Sequence, residues 1–209
     1  MDMDKEVLIE SLIKDGFLKT PGAIEAFKAI DRKDFVLPER IEEAYGNYPL
    51  PIGFGQTISQ PLTVAFMLEL LEVKPGEKIL EIGAGSGWQT ALLAFSAGSS
   101  GKITALEIIP QLKAMAETNA VKYGFIEKGI VEIFLADGSK GYPLSAPYDR
   151  IIAAAAGNEI QPAWKDQLKV HGRIVAPIKE SIVILDKISS EEFKQREYFG
   201  FSFVPLVKG

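Results

Sequence analysis

Apolar positions near the start of the chain recur at helical spacing. Val7, Leu8, Leu12 and Ile13 follow that period up to Asp15-Gly16, which predicts a helix ending there. Thr20-Pro21 reads as an N-cap followed by proline at the first helical position, with Ala23, Ile24, Phe27 and Ile30 as the buried face of a second helix. A third, short helix is predicted from near Pro38. Between Tyr45 and Gln60 the period vanishes in a stretch rich in glycine and proline. Connections longer than about 12–15 residues are uncommon inside compact domains and tend to carry function.

From Pro61 the pattern becomes an alternation. Val64, Ala65, Leu68 and Leu71 predict a helix, and short apolar runs at 78–82, 102–106, 131–135 and 150–154 predict strands. Helices are predicted over 89–96, 110–123 and 162–168. Strands alternating with helices imply right-handed crossovers and a mainly parallel, doubly wound α/β sheet. After Gly172 the runs 173–178, 181–188 and 197–204 read as consecutive strands with short turns, so the sheet is expected to end antiparallel. Residues 1–60 form an amino-terminal extension of helices and loop, and 61–209 the core of what reads as a single domain.

Composition narrows the chemistry. The 209 residues are 47% hydrophobic and 24% charged, an ordinary globular balance. With 23 basic and 28 acidic residues the formal net charge is −5, against the broad cationic surface of a nucleic-acid or anionic-membrane binder. Cysteine is absent and histidine occurs once, which removes disulfides, thiolate metal sites and His-rich metal sites; no metal is expected. No apolar stretch approaches the roughly 18–20 residues of a membrane span. Met1-Asp2-Met3-Asp4-Lys5 is acidic and leads into an amphipathic pattern, so a cytoplasmic protein is expected, with a monomer favoured.

The densest chemical signal is Glu81-Ile82-Gly83-Ala84-Gly85-Ser86-Gly87-Trp88, between the first core strand and the next helix. Glycines there permit a tight turn and a close ligand approach at the crevice where doubly wound sheets bind ligands. Trp88 stands where the pyrophosphate fingerprint needs its third glycine, which makes a nicotinamide dehydrogenase a poor fit. Glu81 precedes the first glycine by two residues and suits a cation better than a polyanion. Glu107 ends the second core strand, where an acid can accept both hydroxyls of a ribose. Asp137-Gly138 follows the third. Acids after three successive strands fit a phosphate-free, positively charged nucleoside: S-adenosylmethionine.

At larger scale the chain resembles the protein-L-isoaspartate O-methyltransferase family. The likeness rests on Pro49-Leu-Pro-Ile-Gly-Phe-Gly-Gln-Thr-Ile-Ser-Gln-Pro61 and Leu80-Glu-Ile-Gly-Ala-Gly-Ser-Gly87. It continues through Ala136-Asp137-Gly138, Ala146-Pro-Tyr-Asp149, Gln167-Leu168, Gly172-Arg-Ile-Val-Ala-Pro177 and Phe203-Val-Pro-Leu206. It implies a seven-stranded Rossmann-like methyltransferase sheet. It also implies an enzyme that methylates the misplaced carboxylate of isoaspartyl residues in damaged proteins and peptides, whose ester then closes to a succinimide. By the same resemblance, Ser59 is the active-site serine with Thr57 beside it. Ile58, Glu81, Gly83, Gly85, Ser86, Gly87, Glu107, Ile108, Asp137 and Gly138 would contact the cofactor, and Pro51, Ile52, Gln56 and Ala154 the substrate.

The chain departs from the family pattern at Asn47 (usually aspartate), Trp88 (usually tyrosine), Ala136 (usually glycine), Ala154 (usually threonine) and His171 (usually glycine). Asn47 and Ala154 fall in stretches near the substrate side. The 45–60 loop is expected to close over the ligands about Gly46, Gly53 and Gly55 as hinges. Competing readings are a small-molecule or RNA methyltransferase, and a methyltransferase-like module that binds cofactor with little turnover. The acidic charge balance weighs against the RNA enzyme, and the Gln56–Ser59 segment against both the RNA and the small-molecule enzyme.

Overall fold

A computed structural model describes residues 4–209; the first three residues of the acidic start lie outside that range. Helix α1 (Lys5–Lys14) is capped by the Asp4 side chain, which accepts from the Val7 N–H, and α2 (Pro21–Ala29) by Thr20, which accepts from Ala23. Two 3-10 turns follow, Arg32–Phe35 and Pro38–Glu43. The stretch without a period contains a small antiparallel hairpin, β1 (Leu50–Gly53) and β2 (Gln56–Ile58), in which Leu50 faces Ile58 and Pro51 faces Thr57. Gly53, Phe54 and Gly55 all have positive φ at its tip, so glycine on either side of the phenylalanine permits the turn. Helix α3 (Pro61–Leu71) then enters the core.

The remaining elements are β3 (Lys78–Ile82), α4 (Trp88–Ala97), β4 (Lys102–Glu107), α5 (Pro110–Val121), β5 (Val131–Leu135), β6 (Tyr148–Ala153), α6 (Pro162–Gln167), β7 (Leu168–Ile178), β8 (Ser181–Lys187) and β9 (Phe193–Phe199). They build a seven-stranded sheet in the order β5-β4-β3-β6-β7-β8-β9. The pairs from β5 to β7 are parallel and the last two antiparallel, as expected. Strand order reverses at β3, between β4 and β6, and such a switch point opens a crevice at the carboxyl ends of the strands.

Alternation along the strands sorts the core into two layers. Ile79, Ile103, Ile133 and Ile152 join Leu12, Phe27, Leu68, Leu92 and Ala116 from α1 to α5 in one buried cluster. Leu80, Ile82, Ile151 and Ile174 point to the opposite face, where Trp164 of α6 covers them. Among the described residues no helix is long and apolar enough to cross a membrane.

Three boundaries differ from expectation. The last strand lies at Phe193–Phe199 rather than 197–204, because Lys194, Gln195, Arg196 and Glu197 form an edge strand exposed on both faces and carry no apolar alternation. Strand β7 begins five residues before Arg173, running through His171, which sits at φ 67 beside the irregular pairing with β6. The Pro38 helix is a 3-10 turn.

Candidate active site

A cavity of about 390 Å³ opens at the switch point. Its floor is the glycine loop, Gly83 to Ser86; its sides are Glu107, Ile108 and Ile109 after β4, Ala136 and Gly138 after β5, and Ala154 and Ala155 after β6. The roof comes from Gln56, Thr57, Ile58 and Ser59 on the amino-terminal side and from residues 202–207 on the other. Glu107 is the only charged side chain on the wall among the described residues.

The glycine loop is held from several directions. The Gly83 and Ala84 N–H groups donate to the Leu106 carbonyl at 2.8 and 3.0 Å, and Asn119 of α5 donates to the Ser86 carbonyl at 2.9 Å. Glu107 Oε2 accepts from the Gly85 N–H at 2.9 Å, while Oε1 accepts from Ile108 and Ile109 at 2.8 and 3.0 Å. A carboxylate has about four lone-pair sites. These bonds leave one lone-pair site open on Oε2.

The other two acids depart from expectation. Glu81 lies on the same face of β3 as Ile79, toward α4, and not on the cavity wall. It is fully buried and accepts from Gln89 Nε2 at 3.1 Å and Thr90 Oγ1 at 2.5 Å, fastening the first turn of α4 under the glycine loop. Asp137 caps a 3-10 turn by accepting from Ser139 N at 2.9 Å and pairs with Lys140 at 3.2 Å; its neighbour Gly138 reaches the wall. Gly87 sits behind the cavity at φ 86, where a Cβ would come within 3.0 Å of the Ala116 backbone in α5. Pro51 is exposed on the hairpin, and Ile52 is buried beneath it, 3.5 Å from where a Cβ on Gly85 would lie. These residues support the walls, and Gln56, Thr57, Ile58, Ser59, Gly83, Gly85, Ser86, Glu107, Ile108, Gly138 and Ala154 meet around the cavity.

Burial pushes the Glu81 carboxyl up to about 8, against the opposing hydrogen bonds from Thr90 and Gln89. An acid whose folded-state value lies above its unfolded one gives up stability as pH rises from the unfolded value to the folded one. Glu81 is therefore expected to lower stability progressively between about pH 4.5 and 8. Glu81→Gln should flatten the thermal midpoint against pH across that window relative to the parent chain; parallel curves would remove the assignment.

Gly138 is fixed by Trp164, whose Nε1 donates to its carbonyl at 2.8 Å. A Cβ there would overlap Ile82 Cγ2, a β-branched atom on the central strand that cannot swing aside. Gly138→Ala is expected to lower stability by about 1–3 kcal/mol, seen as a lower thermal midpoint.

Several residues around the site make contacts other than those expected of them. Asn47 was placed near the substrate, yet its Oδ1 accepts from the Leu62 N–H at 3.0 Å and tethers the start of α3; this needs only a carbonyl oxygen, which asparagine supplies as well as aspartate. Gly46 is no hinge: it is buried, its carbonyl accepts from Arg32, and a Cβ there would overlap the Tyr48 ring. The roof segment 202–207 bridges Ala156 through Ala156 N to Val204 O and Leu206 N to Ala156 O, both 2.8 Å.

A crevice at the β3 switch point, a glycine-loop floor and a single strand-end carboxylate define an S-adenosylmethionine-dependent methyltransferase of the Rossmann-like class. The family model for Protein-L-isoaspartate(D-aspartate) O-methyltransferase matches residues 3–209. A protein-L-isoaspartate O-methyltransferase of Methanopyrus kandleri is 38% identical over 97% of this chain and 91% of its own length. One from Aeropyrum pernix is 41% identical over 96% and 78%. The fold is shared with a Plasmodium falciparum chain assigned as a protein-L-isoaspartate O-methyltransferase and crystallised with S-adenosyl-L-homocysteine. That match has a TM-score of 0.88 at 21% identity and covers 99% of this chain and 100% of that one. The chain belongs to the protein-L-isoaspartate(D-aspartate) O-methyltransferase family.

Proposed function

We propose that this chain transfers the methyl group of S-adenosylmethionine to the free carboxylate of isoaspartyl residues in proteins and peptides. The observation that carries the reading is one cavity with Ser59 and Thr57 on one side and the glycine loop with Glu107 on the other, in a chain of this family.

The cavity fits the cofactor on its own terms. Its only wall charge is negative, as a cationic ligand requires, and the Glu107 oxygen left open is an acceptor for a ribose hydroxyl. Gly138 brings bare backbone to the wall where Ile82 leaves no room for a side chain. Glu107 would hold the ribose, Gly83, Gly85 and Ser86 the amino-acid end, and Ile108, Ala136 and Gly138 the adenine. When bound, S-adenosylmethionine supplies a methyl group on a positively charged sulfur.

The attacking group is a carboxylate, ionised at neutral pH since reference carboxyl values lie near 3.3–4.3. No general base is required, and the wall contains no histidine. Transfer cancels one positive and one negative charge, so apolar surroundings favour the transition state over the separated ions. Ile82, Leu106, Leu112, Ala154 and Val64 provide that lining. Hydroxyl donors orient the oxygen while quenching it less than a clamped guanidinium would, and Ser59 and Thr57 are donors of that kind.

The test is calorimetry with S-adenosylmethionine followed by methanol release from a base-treated isoaspartyl peptide incubated with chain and cofactor. Binding with release is expected. Binding without release selects a cofactor-binding module, and release that does not depend on the isoaspartyl residue selects a different methyl acceptor.

A further inference from the structure

Arg32 is the most deeply buried cation among the described residues, 2% exposed, on the 3-10 turn after α2. No carboxylate lies within ion-pairing distance of it among those residues. Its guanidinium donates instead to main chain: Nη1 to the Ala44 carbonyl at 2.7 Å and Gly46 at 3.2 Å, Nη2 to Tyr48 at 3.1 Å and Ser59 at 3.0 Å. Its Cζ stands 5.2 Å from the ring centroid of Trp88, a cavity-wall residue at the start of α4. Burial lowers its value to about 10, so the cation persists at neutral pH.

This arrangement is expensive for stability alone. The Arg32 Nε and Trp88 Nε1 donors are buried without partners, and the charge is left without a counter-ion. What the guanidinium achieves is geometric. The Gly46 and Tyr48 carbonyls open the 45–60 loop, Ala44 immediately precedes it and Ser59 closes it, so one rigid, planar group gathers both ends of the loop and sets them against the helix of the glycine loop. The hairpin between them hangs from a closed base. The Ser59 carbonyl is occupied, which fixes the main chain that carries its hydroxyl at the cavity wall.

We propose that Arg32 is a positioning residue: by holding the Gly46, Tyr48 and Ser59 carbonyls together over Trp88, it sets the Ser59 hydroxyl in line with the substrate carboxylate. This rests on the assignment of Ser59 as the substrate donor.

A double-mutant cycle on the full chain tests it. Arg32→Lys keeps the charge but cannot span the carbonyls. Turnover of an isoaspartyl peptide is expected to fall about thirtyfold in Arg32→Lys, comparable to losing one charge-assisted bond. In a Ser59→Ala background the same change should cost no more than about threefold, because the group being positioned is already gone. Calorimetric affinity for S-adenosylhomocysteine should stay within about threefold in both. Arg150→Lys serves as the comparison: Arg150 binds the Leu71 and Glu72 carbonyls near the amino ends of the strands, far from the cavity, and should lower the thermal midpoint without lowering turnover.

Turnover within about twofold of the parent in Arg32→Lys overturns the proposal. So does the full loss persisting in the Ser59→Ala background. Full turnover in Ser59→Ala by itself removes the donor assignment beneath the proposal, a pattern distinct from the other two. Hydrogen exchange on the unaltered chain decides the matter if Arg32→Lys fails to fold. Amides flanking Gly46–Tyr48 and Ser59 should be protected while Gly53–Gly55 exchange freely, and a loop base exchanging as fast as its tip overturns the proposal.

Discussion

Replacing Glu107 with alanine is expected to weaken S-adenosylmethionine binding about a hundredfold, measured by calorimetry. Two losses add. The ribose hydroxyl loses a charge-assisted acceptor, worth roughly 1.5–3 kcal/mol. The Gly85, Ile108 and Ile109 N–H groups also lose the carboxylate that gathers them, so the glycine loop and the start of the next helix are no longer held in register. Glu107→Gln separates the two: its single oxygen retains an acceptor but no charge, and about a tenfold loss is expected. An alanine variant that binds as the parent does would show that the carboxylate serves the loop alone.

The second large effect is on the chemical step. Ser59→Ala is expected to lower turnover of an isoaspartyl peptide roughly ten- to a hundredfold, the worth of one hydrogen bond to a charged group. Cofactor affinity should hardly move, since the Ser59 main chain stays anchored by Arg32 whatever its side chain. The effect should therefore appear in kcat with peptide and cofactor saturating. An unchanged rate would remove Ser59 from the reaction and leave Thr57 as the remaining hydroxyl of that segment to examine.

The parallel core was legible because its strands read as compact apolar runs: Lys78–Ile82, buried on both faces, and the edge strand Val131–Leu135, buried at Val131 and Ile133, have the expected boundaries. Elements whose side chains face water left no such trace. Strand β9 is polar because it is an edge, and the β1–β2 hairpin is short and interrupted by Pro51. At the site, sequence position located strand ends but not how deep each acid sits in the register of the sheet. Glu107, the last residue of β4, reaches the cavity, whereas Glu81 lies on the same face of the sheet but deeper, paired with Ala105 two residues before Glu107, and is buried against α4. Arg32 left no signal at all. Its partners are main-chain carbonyls up to 27 positions away, and any residue type supplies a carbonyl.

The cavity draws on the chain from Pro49 to Val207, and its central strand β3 waits on one side for β6, some 70 positions downstream in register. Such distant pairings form slowly, and amino-terminal parts of a chain emerge first during synthesis. A nascent polypeptide can thus pack its early helices and β3 to β5 long before the 202–207 side of the roof exists. The 202–207 segment is the last part of the cavity to be made, so a ligand that needs the closed cavity stabilises the completed molecule rather than the half-made one.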